Sequence, residues 1–353
     1  MEGIDKTLFG EFEKHVKSND IIWDTNDISN RLKGFLELDA DKYEKRQNLA
    51  LDIASDILIP HQKQDLSRIA TSLAQLERNL KDIEPPQRDH VCHALLTYLL
   101  GFFVISKLNK DDNFHFQWKL AGLLHDVGYP LEITDRIDEV FLNNYERDVL
   151  GEGPDFRPTG GKKLSKYLTL YKKGIRQKRN TLDLINKRLK NWEISPNPRM
   201  IFKKMIAGKK FDLGDKRTDH GIASAILVMK AIDKKYEQNN PKQTYDEDDL
   251  WNFLNMESQI TNVCSAIYIH NLELDEHVWD FKKAPLATLL KVCDELQDWG
   301  RPLADNQKGE LPRDYDIKYE NGHFIFYAKN EKLNGIKGEF KNIVNFPIKF
   351  EKL

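Results

Sequence analysis

Apolar residues recur at helical spacing over most of this chain, and that pattern predicts helices before any residue type is counted. From Lys6 to about Lys81 there are few breakers apart from a turn near Ile59, Pro60 and His61, which predicts two or three helices. Pro85 and Pro86 punctuate the chain. A long apolar helix follows from about Arg88 to Leu108, its end marked by Asn109 and the polar run Lys110, Asp111, Asp112 and Asn113. The next, about Phe116 to Leu124, stops at His125-Asp126-Val127-Gly128-Tyr129-Pro130, where Gly128 and Pro130 are the terminators. A helix capped by Thr218 or Asp219 runs through Ala223, Ile226, Leu227 and Ala231, and an acidic loop of about Glu237 to Asp249 separates it from another at Leu250 to Ile269. Pro285 opens a last helix that reaches Trp299 and ends at Gly300 and Pro302.

Beyond Arg301 the period shortens. Tyr315-Asp-Ile-Lys-Tyr and Phe324-Ile-Phe-Tyr alternate around Glu320-Asn321-Gly322, and Asn-Gly between alternating runs predicts a β-hairpin. The expected architecture is therefore mainly α. Residues 1–84 form N-terminal helices packing on a core, 85–303 a helical domain with a basic helical insertion at about 161–217, and 304–353 a small β-hairpin appendage. There is no internal repeat and no low-complexity tract.

Composition narrows this little. The 353 residues are 40% hydrophobic and 31% charged, with formal net charge −2, the profile of a folded soluble chain without a general pull toward nucleic acid or membrane. The most apolar stretch, Ala94 to Ile105, is too short to span a bilayer, and Met-Glu-Gly-Ile-Asp-Lys lacks a signal pattern, so a cytoplasmic location is expected. Cys92, Cys264 and Cys293 are an odd number without a Cys-x-x-Cys pair, and each is expected to be a small buried residue.

Charge is uneven locally. Residues 161–217 hold 18 Lys plus Arg against 4 Asp plus Glu. A solvated helical pair with Leu164, Tyr167, Leu168, Leu182, Ile185 and Leu189 inward is the first expectation, and a face for anionic ligands the second.

Chemistry concentrates in short strings at the ends of the helices. His125-Asp126 closes the apolar helix Leu120-Ala-Gly-Leu-Leu, so imidazole and carboxylate can project into a site walled by helices. Arg88-Asp-His-Val-Cys-His puts His90 and His93 three apart, on one helix face, where polar rings need partners. Thr218-Asp-His-Gly offers His220 at a helix start, Ile269-His-Asn offers His270 at a helix end, and Lys291-Val-Cys-Asp-Glu-Leu-Gln-Asp-Trp-Gly-Arg sets Asp294 in an apolar stripe. A lone His-Asp pair means little, since about one arises by chance among ten histidines with ordinary Asp usage. The ordered series His, His-Asp, His, His, Asp means more, because each member sits at an element end or on a buried face.

That series resembles the HD superfamily of metal-dependent phosphohydrolases, over about Arg88 to Arg301, and the added His220 and His270 resemble its two-metal subgroup. The resemblance implies an HD-domain helical bundle in which one metal takes His93, His125, Asp126 and Asp294. The second would take His220 and His270, with Asp126 bridging. His93 is preferred to His90 as first ligand because His93-Ala-Leu-Leu resembles the family's His-Ser-Leu, and His90 would then face the substrate as acid or phosphate donor. Catalysis would rest on His90 and Asp126, by attack of a metal-bridging hydroxide. The mixed His and carboxylate set suits Mn, Fe, Zn or Ni. Arg88, Lys119, Lys216, Arg217 and Arg301 are the basic candidates for substrate phosphate. The sequence departs from the family where His-Asp-x-Gly-Lys has Tyr129 in place of the Lys, so the usual basic group is missing or comes from elsewhere.

The expected partner is a small phosphorylated substrate, a nucleotide above all, with nucleic acid through 161–217 less favoured, no membrane, and homo-oligomerisation open. A nucleotide-sensing or regulatory module and a di-iron oxygenase are the alternatives, separable by turnover, metal content and O₂ consumption.

Overall fold

The computed structural model describes residues 1, 3–18, 25–39, 42–59, 66–80, 89–108, 110–133, 160–170, 179–194, 197–207, 218–239, 256–272, 278–301 and 314–353. The fold is mainly α, with small strands concentrated at the C-terminus. It divides into two compact units, Met1–Leu123 with Glu276–Leu353, and Leu124–Asp275. These cut the chain elsewhere than between residues 84 and 85 and between 303 and 304, because the first unit gathers both ends of the sequence.

In the first unit the N-terminal region forms four helices rather than two or three: α1 (Gly3–Ser18), α2 (Thr25–Glu37), α3 (Tyr43–Leu58) and α4 (Ser67–Leu80). The sequence between α1 and α2 carries Asn19 and Asp20 rather than Gly or Pro, so the breakers sought at the sequence level are absent there. The centre of the unit is α5 (His90–Lys107), capped by Asp89, whose side chain accepts from the Cys92 N–H at 3.0 Å. Every residue from His90 to Ile105 is buried, and α1, α3 and α4 pack around the helix. Among the described residues α5 alone is long and apolar enough to cross a membrane, and its burial marks it as the unit's core helix.

Next comes α6 (Asp112–Leu124), four residues earlier than the periodicity suggested. The polar run after α5 is its cap, since Asp111 accepts the Phe114 N–H at 2.8 Å. Gly101 lets α6 approach: a Cβ there would lie 2.0 Å from the fully buried Trp118 ring, whose indole N–H donates to the Tyr98 carbonyl at 3.0 Å.

The C-terminal part of the same unit holds the last core helix and a sheet. Numbered in chain order, its strands are β3 (Trp279–Asp280), β4 (Tyr315–Glu320), β5 (His323–Ala328), β6 (Ile343–Val344) and β7 (Ile348–Lys352); β3 pairs with β6, and β4, β5 and β7 are hydrogen-bonded in that sequence. The hairpin is as expected, with Asn321 and Gly322 both at positive φ, 50° and 76°, the requirement of a tight two-residue turn. A helix, Asn330–Glu339, then crosses over to make β7 parallel to β5. Tyr315, Ile317, Phe324 and Phe326 are buried, and β4 packs on α1, so the strands belong to the core of this unit rather than hanging from it.

The second unit holds α7 (Gly160–Ser165), a two-strand ladder of β1 (Thr169–Leu170) and β2 (Arg179–Asn180), α8 (Thr181–Asn191), α9 (Pro198–Ile206), α10 (His220–Asn239) and α11 (Thr261–Ile269). The described part of the basic segment is a helical pair: Leu182, Ile185 and Leu189 of α8 and Ile201, Phe202 and Met205 of α9 are buried, and Asn180 and Asn197 cap the two helices. Leu164 is buried, whereas Tyr167 and Leu168 are half-buried. A π-helical turn, Met256–Ile260, leads into α11, which packs on both α10 and α8.

Candidate metal centre

The second unit brings together His125, Asp126, His220 and His270. His125 and Asp126 lie in the turns after α6, held by the Val127 N–H on the Leu124 carbonyl and the Tyr129 N–H on the Asp126 carbonyl at 2.9 Å. Gly128 allows these turns to press on α10. A Cβ at Gly128 would sit 2.4 Å from the Ser224 backbone nitrogen and 2.6 Å from the His220 carbonyl oxygen, and the Gly128 N–H donates to Ser224 Oγ at 2.7 Å. The glycine after His-Asp is thus a close-approach residue, and the serine of the His220 string is its partner.

His220 opens α10 and His270 follows α11. Asp219 caps α10 through Oδ1, which accepts the Ile222 N–H at 2.9 Å, while its Oδ2 accepts the Asn271 side-chain amide at 2.8 Å. This ties Asp219-His220 to His270-Asn271. The ring tautomers follow from the partners. A carbonyl only accepts, so His270 carries its proton on Nδ1, 2.6 Å from the Ile267 oxygen. Glu132 Oε2 accepts both the His220 backbone N–H at 3.1 Å and its Nδ1–H at 2.7 Å.

His270 Nε2 therefore presents a lone pair, and the Nε2 atoms of both rings point at one carboxylate oxygen: Asp126 Oδ1 lies 3.3 Å from His220 Nε2 and 3.6 Å from His270 Nε2. His125 Nε2 is 3.4 Å from Asp126 Oδ2. Lone pairs facing a carboxylate need a cation between them, either a proton or a metal. The buried His270 Nε2 has no hydrogen-bond partner among the described residues, and a metal ligand is a role that fits it. Ligand atoms of His125, Asp126 and His270 lie within 4.8 Å of one another, and all three residues are buried. Burial pulls the His220 pKa down, but its bond to Glu132 and the charges of Asp126, Glu132 and Asp219 outweigh this and raise it to about 9. Carboxylates that favour an imidazolium favour a metal dication for the same reason.

In the first unit α12 (Pro285–Leu296) packs on α5 and pairs Asp294 with His93, Oδ1 to Nε2 at 2.8 Å. Gln297 holds the other ring nitrogen. Its amide N–H donates to the Trp299 carbonyl at 2.8 Å, which leaves the amide oxygen for His93 Nδ1–H. His93 Nε2 thus also faces a carboxylate oxygen, a contact that needs a proton or a metal between the two atoms. His90, one turn earlier, is buried against Glu77 of α4.

Of the basic candidates, Arg88, Lys216 and Arg217 lie outside the described residues. Arg301 is buried, as is Lys119, which stands close enough to His15 and His115 to act on both electrostatically. Burial drives the Lys119 pKa down to about 8, against the pull of Asp112. Where the family pattern has Lys, the Tyr129 ring meets His220 edge to face, centroids 6.0 Å apart. All three cysteines are buried free thiols, and burial raises the pKa of each, so none is a ready nucleophile. Sequence spacing did not expose Glu132, Glu77 or Gln297, since an orienting carboxylate or amide has no fixed offset from its histidine. No protein-family description, characterised protein or solved structure matches the chain.

Proposed function

We propose that this chain is a metal-dependent phosphohydrolase or phosphodiesterase of the HD superfamily, acting on a nucleotide or related phosphate, with the ligand assignment that the resemblance implies. The observation that carries it is the buried His125, Asp126 and His270 cluster, with an orphaned Nε2 on His270. A nitrogen and oxygen donor set of this kind fits Mn, Fe, Zn or Ni. A divalent metal bound there supplies Lewis-acid stabilisation of charge on a phosphoryl oxygen.

The chain's own residues do the rest. One oxygen of Asp126 lies opposite the Nε2 atoms of both His220 and His270, so a cation held by the carboxylate would be shared with both rings. Glu132 and the Ile267 carbonyl fix both rings with Nε2 forward, the usual arrangement behind metal-binding histidines. His90 faces the substrate for proton transfer. The test is metal analysis of the purified full-length protein, followed by a phosphate-release screen over nucleotides and phosphodiesters with each candidate metal restored. Bound metal together with release supports the proposal, and a protein without stoichiometric metal or release under any loading refutes it. Metal with ligand binding but no turnover points instead to the sensing module, and O₂ consumption to the oxygenase.

A further inference from the structure

The Asp-His pair at the start of α5 is built like the pair at the start of α10. Asp89 and Asp219 each cap their helix through the N–H three residues on. In each case a glutamate from another segment then takes two donors from the following histidine. Glu132 does this for His220, and Glu77 Oε1 does it for His90, accepting the backbone N–H at 2.9 Å and contacting Nδ1 at 2.8 Å. Glu77 is fully buried, and its other oxygen accepts the Gln47 amide N–H at 2.7 Å. The Gln47 amide cannot turn round without loss, because its oxygen accepts from Arg78 Nε at 2.8 Å. Glu77 is thus surrounded by donors on both oxygens, which is the environment of an ionised carboxylate. The His90 contact must then be Nδ1–H donating to it.

We propose that Glu77 is a positioning residue that holds His90 with its proton on Nδ1 and a lone pair on Nε2, so that His90 enters the reaction as a proton acceptor rather than an acid. This rests on the proposed hydrolase function, in which His90 faces the substrate. On taking a proton at Nε2, the ring becomes an imidazolium already hydrogen-bonded to a buried carboxylate, which stabilises it without reorganisation. No other group need move.

The test reads the tautomer directly, whatever the protein hydrolyses. Full-length protein labelled with ¹⁵N-histidine is examined by long-range ¹H–¹⁵N NMR, and the His90 signals are assigned by their loss in His90→Gln. The expected result is a protonated Nδ1 and a bare Nε2 in the native protein, with a shift toward the Nε2–H form in Glu77→Gln. On the substrate that the phosphate screen returns, Glu77→Gln should lower kcat about 10- to 100-fold, with metal content and KM unchanged, and Glu77→Asp should recover part of the loss. A native His90 protonated on Nε2 overturns the proposal, and needs no variant to fold. So does a Glu77→Gln protein whose His90 tautomer and kcat match the parent. Failure of the hydrolase proposal is read separately, as absent metal and absent phosphate release.

Discussion

Gly221→Ala sets two opposing effects against each other, and their magnitudes decide the outcome. Gly221 is the second residue of α10, and replacing glycine by alanine within a helix ordinarily stabilises by about 0.5–1 kcal/mol. Here the new Cβ would lie 2.9 Å from His270 Cε1, 2.9 Å from the Ile267 carbonyl oxygen and 3.0 Å from His270 Nδ1. Ordinary contact begins near 3.4 Å, so the neighbours must yield by about 0.5 Å. Neither can do so freely, since one is helix backbone and the other is the ring hydrogen-bonded to it at 2.6 Å. Overpacking of this kind costs about 1–3 kcal/mol, which exceeds the helix gain. The net expectation is a loss of about 1–2 kcal/mol, or a melting temperature lower by about 1–3 °C for a protein of this size. Because the displaced ring presents Nε2 to Asp126, metal affinity should fall at least about 10-fold. Thermal unfolding of the metal-free protein and a calorimetric metal titration measure the two effects separately. A variant that melts at or above the parent and binds metal as tightly would refute the account of this glycine and of His270 as a ligand.

Asp126→Ala should strip most of the metal from the purified protein while His220→Ala removes less, because Asp126 serves two rings and His220 is one of them; full stoichiometry in Asp126→Ala, read by elemental analysis, would end the shared-carboxylate role. His93→Ala should lose metal while His90→Ala keeps it and loses about 10²–10⁴ in turnover, and the opposite pattern exchanges the two roles. Stability should also fall in acid through His15, whose pKa is lowered to about 4 by burial, then by His115 and Lys119, against the pull of Asp112 and Glu11. The unfolded chain binds this proton from about pH 6.5 downward and the folded chain does not until about pH 4, so stability is complete above the upper value and declines between them. After allowance for solvent screening, about 1–2 kcal/mol should disappear over that window. Urea unfolding at pH 7 and pH 4.5 should show a smaller acid loss for His15→Phe than for the parent, and equal losses would rule His15 out.

Much of the fold was legible because each helix carries its own signals. The 3.6-residue recurrence marked α5 and α12, Asn321-Gly322 marked the hairpin, and Asn180 and Asn197 are side-chain caps of the usual kind. The misses share a cause, in that one residue type serves two purposes. Asp111 looked like the punctuation that ends α5 and is also the cap that begins α6. The crossover after β5 was missed because Asn330–Glu339 contains Gly335 and Gly338, which weaken a helical signal that packing against β7 restores.

For the site, sequence identified the groups that need partners but not the partners. His125, Asp126, His220 and His270 are recognisable because an imidazole beside a helix end or in an apolar run is costly unless something satisfies it. The carboxylates and amides that orient them arrive from other elements: Glu132 after the His-Asp turns, Gln297 beyond α12, Glu77 from α4. Nothing in the spacing of one chain fixes those distances. What the sequence does contain is the Asp-His pair, once at Asp89-His90 and again at Asp219-His220. The structure gives the repetition its meaning, because the aspartate frees the helix N-terminus of one orphan donor and leaves the next N–H and the ring to a single glutamate. A histidine opening a helix behind a capping aspartate is therefore a place to look for a buried carboxylate that sets its tautomer, and here both instances have one.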